Sequence, residues 1–120
     1  MGNSDLGPIE RIIQATRCSL TGLGAGWRTQ PSLRYEICAL LVTIPMGWWL
    51  GNSAVERALL IGSGLLVVIV ELINSAVETV VDRIGLEHHE LSGRAKDLGS
   101  AAVFCSIVLA GVFWLMLLTC

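Results

Sequence analysis

The chain has 120 residues, is 53% hydrophobic with a mean hydropathy of +0.68, and carries a net charge of −2. That is at most one domain, and it is too apolar to supply the polar surface a small soluble domain needs. It has no basic tract to suggest nucleic acid as a partner. Its four cysteines, Cys18, Cys38, Cys105 and Cys120, show neither a CxxC pair nor the spacing of a disulfide framework or zinc site. Cys38 and Cys105 lie inside apolar runs, where a thiol acts as a small hydrophobe.

The first ten residues contain neither a basic stretch nor an apolar core, so no cleaved signal peptide is expected. Gly2 resembles the start of a myristoylation motif, but Leu6 stands where that motif needs Ser or Thr. Residues 9–22 place Ile9, Ile12, Ile13, Thr16 and Leu20 on one helical face, with Glu10, Arg11, Gln14 and Arg17 largely elsewhere. This predicts an amphipathic helix on a membrane surface, over about 8–27, with Pro8 near its start. The run Gly22-Leu23-Gly24-Ala25-Gly26 is expected to break or loosen that helix. It is not a nucleotide fingerprint, because no strand precedes it and no Lys-Ser/Thr follows.

Three apolar segments follow, at about 32–50, 55–81 and 98–119, each able to reach the length of a membrane span. The first is the shortest in apolar extent, carries Glu36 near its start, and contains Pro45, a potential kink. Trp48 and Trp49 close it at an interface, and Gly51-Asn52-Ser53 makes a tight turn. The expected architecture is therefore all-α: one surface helix and three transmembrane helices in a single domain over 1–120. Seven of the eight basic residues precede the first span or lie between the second and third, and only Arg57 lies on the other side. The positive-inside rule puts the N-terminus and the 83–97 loop in the cytoplasm and the C-terminus outside.

The chemical centre lies in the second span. Thirteen uncharged residues, 58–70, lead into Glu71, Asn74, Glu78 and Asp82, spaced by 3, 4 and 4. At about 100° per residue these four fall on one stripe less than a quarter-turn wide. Carboxylates at membrane depth are costly and point to function. Two of them with an amide between suit the handling of a cation or a proton. The stripe occupies the cytoplasmic half of the span, and the polar 83–97 loop adjoins it. With the N-terminal helix these parts can form one polar pocket, open to water below and to lipid at the side.

Phosphoryl transfer requires such parts: carboxylates for magnesium, a carboxylate to take a hydroxyl proton, and cations for phosphate oxygens. Glu71, Glu78, Lys96, Arg11 and Arg94 can supply them, although no Walker A motif, kinase glycine loop or Asp-Phe-Gly triplet is present. Other readings stay open at this level. The stripe also suits a helix-packing cluster or an ion path. His88-His89 suits a solvated loop better than a metal site, since neighbours on a helix point apart. Lys96-Asp97 suits a helix cap, and Ser100 with Ala101 and Ala102 suits close helix packing. Glu56 and Arg57 read as interface anchors, and Trp114 as a packing residue.

Two blocks carry a family resemblance. Residues 71–85, ELINSAVETVVDRIG, resemble the signature of the prokaryotic diacylglycerol kinases, and residues 89–102, HELSGRAKDLGSAA, resemble that family's next block. The likeness extends more weakly over about 9–117. It implies an integral-membrane homotrimer with active sites shared between subunits at the cytoplasmic face of the bacterial inner membrane. The implied reaction is MgATP plus 1,2-diacyl-sn-glycerol giving ADP and phosphatidic acid. By resemblance Glu71 is the general base and Asn74 a catalytic neighbour. Glu78, with residue 30, holds Mg2+. Arg11, Cys18, Gln30, Glu78, Glu87, His88, His89, Lys96 and Asp97 fall where the family contacts nucleotide. Arg11, Ala15, Ser19, Trp27, Ser32, Glu36, Glu71 and Ser100 fall along the lipid path. Three positions depart from the pattern: Gln30 stands for a metal-binding glutamate, Cys18 for an aromatic residue and Gly24 for a basic one. A polyprenol kinase of the same fold, a catalytically weakened lipid-binding protein and a small transport subunit are the competing readings.

Overall fold

The computed structural model describes residues 5–120, so Gly2 lies outside the described residues. Four helices follow one another: α1 (Pro8–Thr29), α2 (Pro31–Leu50), α3 (Ala54–Ile84) and α4 (Glu90–Thr119), with no strand among the described residues.

Each boundary has a local cause. Pro8 occupies the first turn of α1, where a missing N–H costs nothing, and the Glu10 carboxylate accepts from the Gly7 amide at 3.2 Å. Gln30, in extended conformation, ends α1 and starts α2, whose first residue is again a proline. The Ser53 hydroxyl accepts from the Glu56 amide and caps α3. His89 does the same for α4, its Nδ1 accepting from the Leu91 amide at 3.1 Å.

Two expectations are corrected. The glycine run 22–26 does not break α1, which continues unbroken to Thr29. Helical glycine costs only about 1 kcal/mol relative to alanine, no described glycine has a positive φ, and Gly26 has a use in the helix. A Cβ there would lie 2.5 Å from Leu33 Cδ2, so the missing side chain lets α2 approach. The stretch 83–97 is not one long loop either. Only residues 85–89 lie between the helices, because the polar segment from Glu90 onward is helical, capped by His89 and braced by Arg94 against Glu90 at 3.5 Å. Hydropathy marks where a helix is apolar, and a helix can continue well past that limit.

Helix α3 is the central element, packed against α2 on one side and α4 on the other. Small residues set the close approaches. A Cβ on Gly47 would stand 3.0 Å from Ile61 Cγ1, and one on Gly64 3.1 Å from Thr43 Oγ1. The Trp114 indole crosses from α4 to donate to the Leu60 carbonyl at 3.1 Å, which makes it a helix-packing residue. Across the 51–53 turn, the Arg57 guanidinium lies 4.5 Å from the Trp48 ring centroid and donates to the Gly51 carbonyl.

Burial is inverted relative to a soluble bundle. Leu33, Leu60, Val68 and Val81 are the buried apolar residues, whereas Ser63, Glu71, Asn74, Ser75 and Ser106 are buried polar ones. Large apolar side chains cover the outside instead. Among the described helices, α3 and α4 are long and apolar enough to cross a membrane, and only 6% of the apolar window of α4 is buried. A soluble protein's core helix would be covered, so that surface calls for a hydrocarbon solvent. Helix α2 is 20 residues long and helical through Pro45, but Arg34, Glu36, Pro45 and Gly47 dilute its hydropathy. Helix α1 buries nothing and presents Ile9, Ile12 and Ile13 outward, as an interfacial helix would.

Candidate functional site

Helix α3 carries the first half of the acidic stripe inside the molecule. Glu71 is 5% exposed and Asn74 is 7% exposed, so a carboxylate and an amide have been taken out of solvent together. One turn on, the Asn74 amide nitrogen donates to the Glu78 carboxylate at 3.4 Å. Only the nitrogen can donate to a carboxylate, so this contact fixes the amide orientation and turns the Asn74 oxygen the other way. That oxygen is buried without a hydrogen-bond partner, as are Glu36 Oε2 and Ser75 Oγ. Buried orphaned polar atoms are costly in a native fold and mark places where a ligand, water or second subunit completes the structure.

At the far end of the stripe, Lys96 Nζ meets Asp82 Oδ1 at 2.8 Å and ties α4 to α3. The hydrogen bond that the ammonium donates to this carboxylate, and the carboxylate's charge, hold the lysine above its ordinary range. A raised lysine value means that the stabilisation is complete below the ordinary pKa and is lost only as pH climbs through the raised one. The link therefore persists through neutral pH. Both groups are about half exposed, so the pair orients the side chains more than it stabilises the fold.

The nucleotide candidates fall into separate places. Glu87, His88, His89 and Lys96 line one cavity of about 230 Å³ between the end of α3 and the start of α4. His89 caps α4 through its Nδ1, which accepts from the Leu91 amide. Asp97 is the eighth residue of α4, about two turns past its start, which rules out a capping role for Lys96-Asp97. Arg11 and Cys18 are exposed on α1, with Arg11 Nε donating to the Leu6 carbonyl. Gln30 lines a groove of about 470 Å³ between α1 and α3, with Ser19, Gly26, Leu72, Ser75 and Thr79. That wall of α3 is about 100° around the helix from Glu71, Asn74 and Glu78.

The lipid candidates divide likewise. Ser19 belongs to the α1–α3 groove. Glu36 heads an apolar groove of about 360 Å³ whose floor includes Gly64, Gly111 and Trp114. Ala15, Trp27, Ser32 and Ser100 are exposed on the outer surface. Ser100, Ala101 and Ala102 are all exposed, so the close helix packing expected of them falls instead on Gly99, directly against Asn74. The sequence reading missed that contact, although Gly99 adjoins the small-residue run that hinted at it.

No cluster of three or more acidic, His or Cys side chains that can hold a metal occurs among the described residues of one chain. Magnesium in phosphoryl-transfer sites is commonly held by one or two carboxylates, with substrate phosphates and water completing its shell. Glu78, half-buried and hydrogen-bonded by Asn74, fits that role as a hard oxygen donor.

Comparison with known proteins decides the family. Residues 17–118 match the family model described as prokaryotic diacylglycerol kinase. This chain belongs to that family. It is 50% identical over 118 residues to a diacylglycerol kinase of Escherichia coli strain K12, covering 98% of this chain and 96% of that protein. A Haemophilus influenzae diacylglycerol kinase is 47% identical over 88% of this chain and 90% of its own. One from Pseudomonas aeruginosa is 44% identical, over 92% and 89% respectively. The chain is thus an enzyme of the family, and the acidic stripe of α3 lies within the matched region.

Proposed function

We propose that this family member transfers the γ-phosphoryl group of ATP to the free hydroxyl of 1,2-diacyl-sn-glycerol, giving ADP and phosphatidic acid at the cytoplasmic face of the bacterial inner membrane. The observation that carries this reading is the line of buried Glu71, buried Asn74 and half-buried Glu78 toward the polar end of a membrane-length helix. It offers a candidate proton acceptor between the apolar and polar parts of the helix, which suits a lipid acceptor and a water-soluble nucleotide.

Glu71 takes the hydroxyl proton as the lipid oxygen bonds to the γ-phosphorus. The bond from that phosphorus to the β–γ bridging oxygen breaks, and ADP leaves with the electron pair. Asn74 holds Glu78 in place by its hydrogen bond. Glu78 is the residue placed to hold magnesium, which when bound neutralises charge on the phosphate oxygens. Lys96, oriented by Asp82, adds positive charge beside the cavity formed with Glu87, His88 and His89. Asp97, Arg11 and Cys18 complete the nucleotide contacts; Ala15, Ser19, Trp27, Ser32, Glu36 and Ser100 line the lipid approach.

A homotrimer with sites shared between subunits accounts for the separation of Gln30 from Glu78 around α3, since a neighbouring chain can bring residue 30 to the metal. Three spans per chain, with the whole chain as one unit, is the reading that counts the 20-residue α2 as a span beside the longer and more apolar α3 and α4. The test of function is transfer of labelled γ-phosphate by the purified protein in mixed micelles. Diacylglycerol should be labelled and undecaprenol should not; preferential labelling of the polyprenol, or of neither, would overturn the assignment.

Orientation is tested separately. The positive-inside pattern puts Ser53 outside and Ser92 in the cytoplasm. In a background lacking the four native cysteines, a membrane-impermeant thiol reagent added to intact cells should label Ser53→Cys and spare Ser92→Cys. Labelling of the latter would invert the topology and move the site to the wrong face for ATP.

A further inference from the structure

We infer that Gly99 is a positioning residue for the reaction, acting through Asn74. An alanine Cβ at this point would collide with the Asn74 side-chain oxygen and stand 3.2 Å from its Cγ. The oxygen therefore occupies the space left by the missing side chain, against the bare α-carbon of the glycine. No hydrogen-bond donor meets that oxygen, and the amide nitrogen is committed to Glu78 at 3.4 Å. The α4 backbone thus sets how deep the amide sits, and the amide sets where the Glu78 carboxylate lies. Gly99 is not there to bend or end the helix: it lies inside the continuous α4. On an otherwise open helix face glycine costs about 1 kcal/mol relative to alanine, and here the lost methyl group makes room for the amide.

The inference rests on the reading that Asn74 and Glu78 serve the lipid kinase reaction, and its test separates the two. Gly99→Ala should lower kcat at least tenfold while the KM for MgATP stays within about twofold. In spectra of the protein labelled with 15N on asparagine, the Asn74 side-chain amide signals should move. The exposed neighbour substitution Ala102→Val should change neither. In an Asn74→Ser background, where the smaller side chain vacates the space, Gly99→Ala should cost less than a further twofold in kcat. If Gly99→Ala alone fails to fold, the double variant should recover wild-type thermal stability. Persistent misfolding of the double variant, unmoved amide signals, or effects that multiply in kcat would each overturn the role of Gly99. Absence of lipid phosphorylation by the wild-type protein would instead overturn the functional reading, and the amide signals would still report the Gly99–Asn74 contact.

Discussion

Glu71→Gln is expected to lower turnover by about 100-fold or more, with nucleotide binding retained. The substitution keeps the side chain's size and its capacity to hydrogen-bond, and removes the negative charge and with it the ability to accept a proton. General-base catalysis contributes about 100-fold to 10,000-fold, so the lower bound corresponds to about 2.7 kcal/mol of transition-state stabilisation. Because Glu71 is almost fully buried, exchanging its carboxylate for a neutral amide does not add a desolvation cost, and thermal stability should hold or rise. Initial rates in mixed micelles measure the first effect, and calorimetric titration with a non-hydrolysable ATP analogue measures the second. Turnover within about threefold of wild type would remove Glu71 from the proton-transfer step and leave the buried stripe as a packing device.

Glu78→Gln is expected to abolish activity. A glutamine oxygen can still accept from the Asn74 amide, so the local hydrogen bond survives and only the charge is lost. A neutral amide stabilises a divalent ion less than a carboxylate does, most of all where the effective dielectric is low. With Gln30 already neutral, no charged protein ligand would remain at the proposed ion. The same electrostatic argument, run in the other direction, predicts that Gln30→Glu lowers the magnesium concentration for half-maximal activity. Coupled-assay titrations with magnesium, at saturating ATP and lipid, check both variants. An unchanged midpoint in Gln30→Glu would assign Gln30 only its visible structural role, between two helices and ahead of Pro31. Substantial activity in Glu78→Gln would exclude Glu78 as the essential ligand.

Much of this molecule is written locally. The 3-4-4 spacing of Glu71, Asn74, Glu78 and Asp82 needs only helical geometry to become a stripe, and a stripe with carboxylates inside an apolar run needs only the cost of burying charge to become a candidate site. Pro8, Pro31 and Ser53 mark helix starts because the first turn of any helix has free N–H groups. The two blocks at 71–85 and 89–102 were enough to indicate the family that the whole-chain comparison then established.

What depended on neighbours in space was not legible. Whether Gly22, Gly24 and Gly26 break a helix depends on what packs there, and Leu33 comes from a different helix. Hydropathy reads solvent along a helix, so it missed that α4 starts at Glu90, well before its apolar part. The pairing of Asp82 with Lys96, and the seat of Asn74 against Gly99, join residues on two antiparallel segments whose register only their mutual packing decides. By itself the sequence determined the helices, their apolar faces and the chemistry on the stripe, because these follow from backbone geometry and the transfer of side chains out of water. Only the tertiary structure decided which functional side chains meet, because contacts between helices depend on the few ångströms that a glycine, a proline or a buried amide makes available.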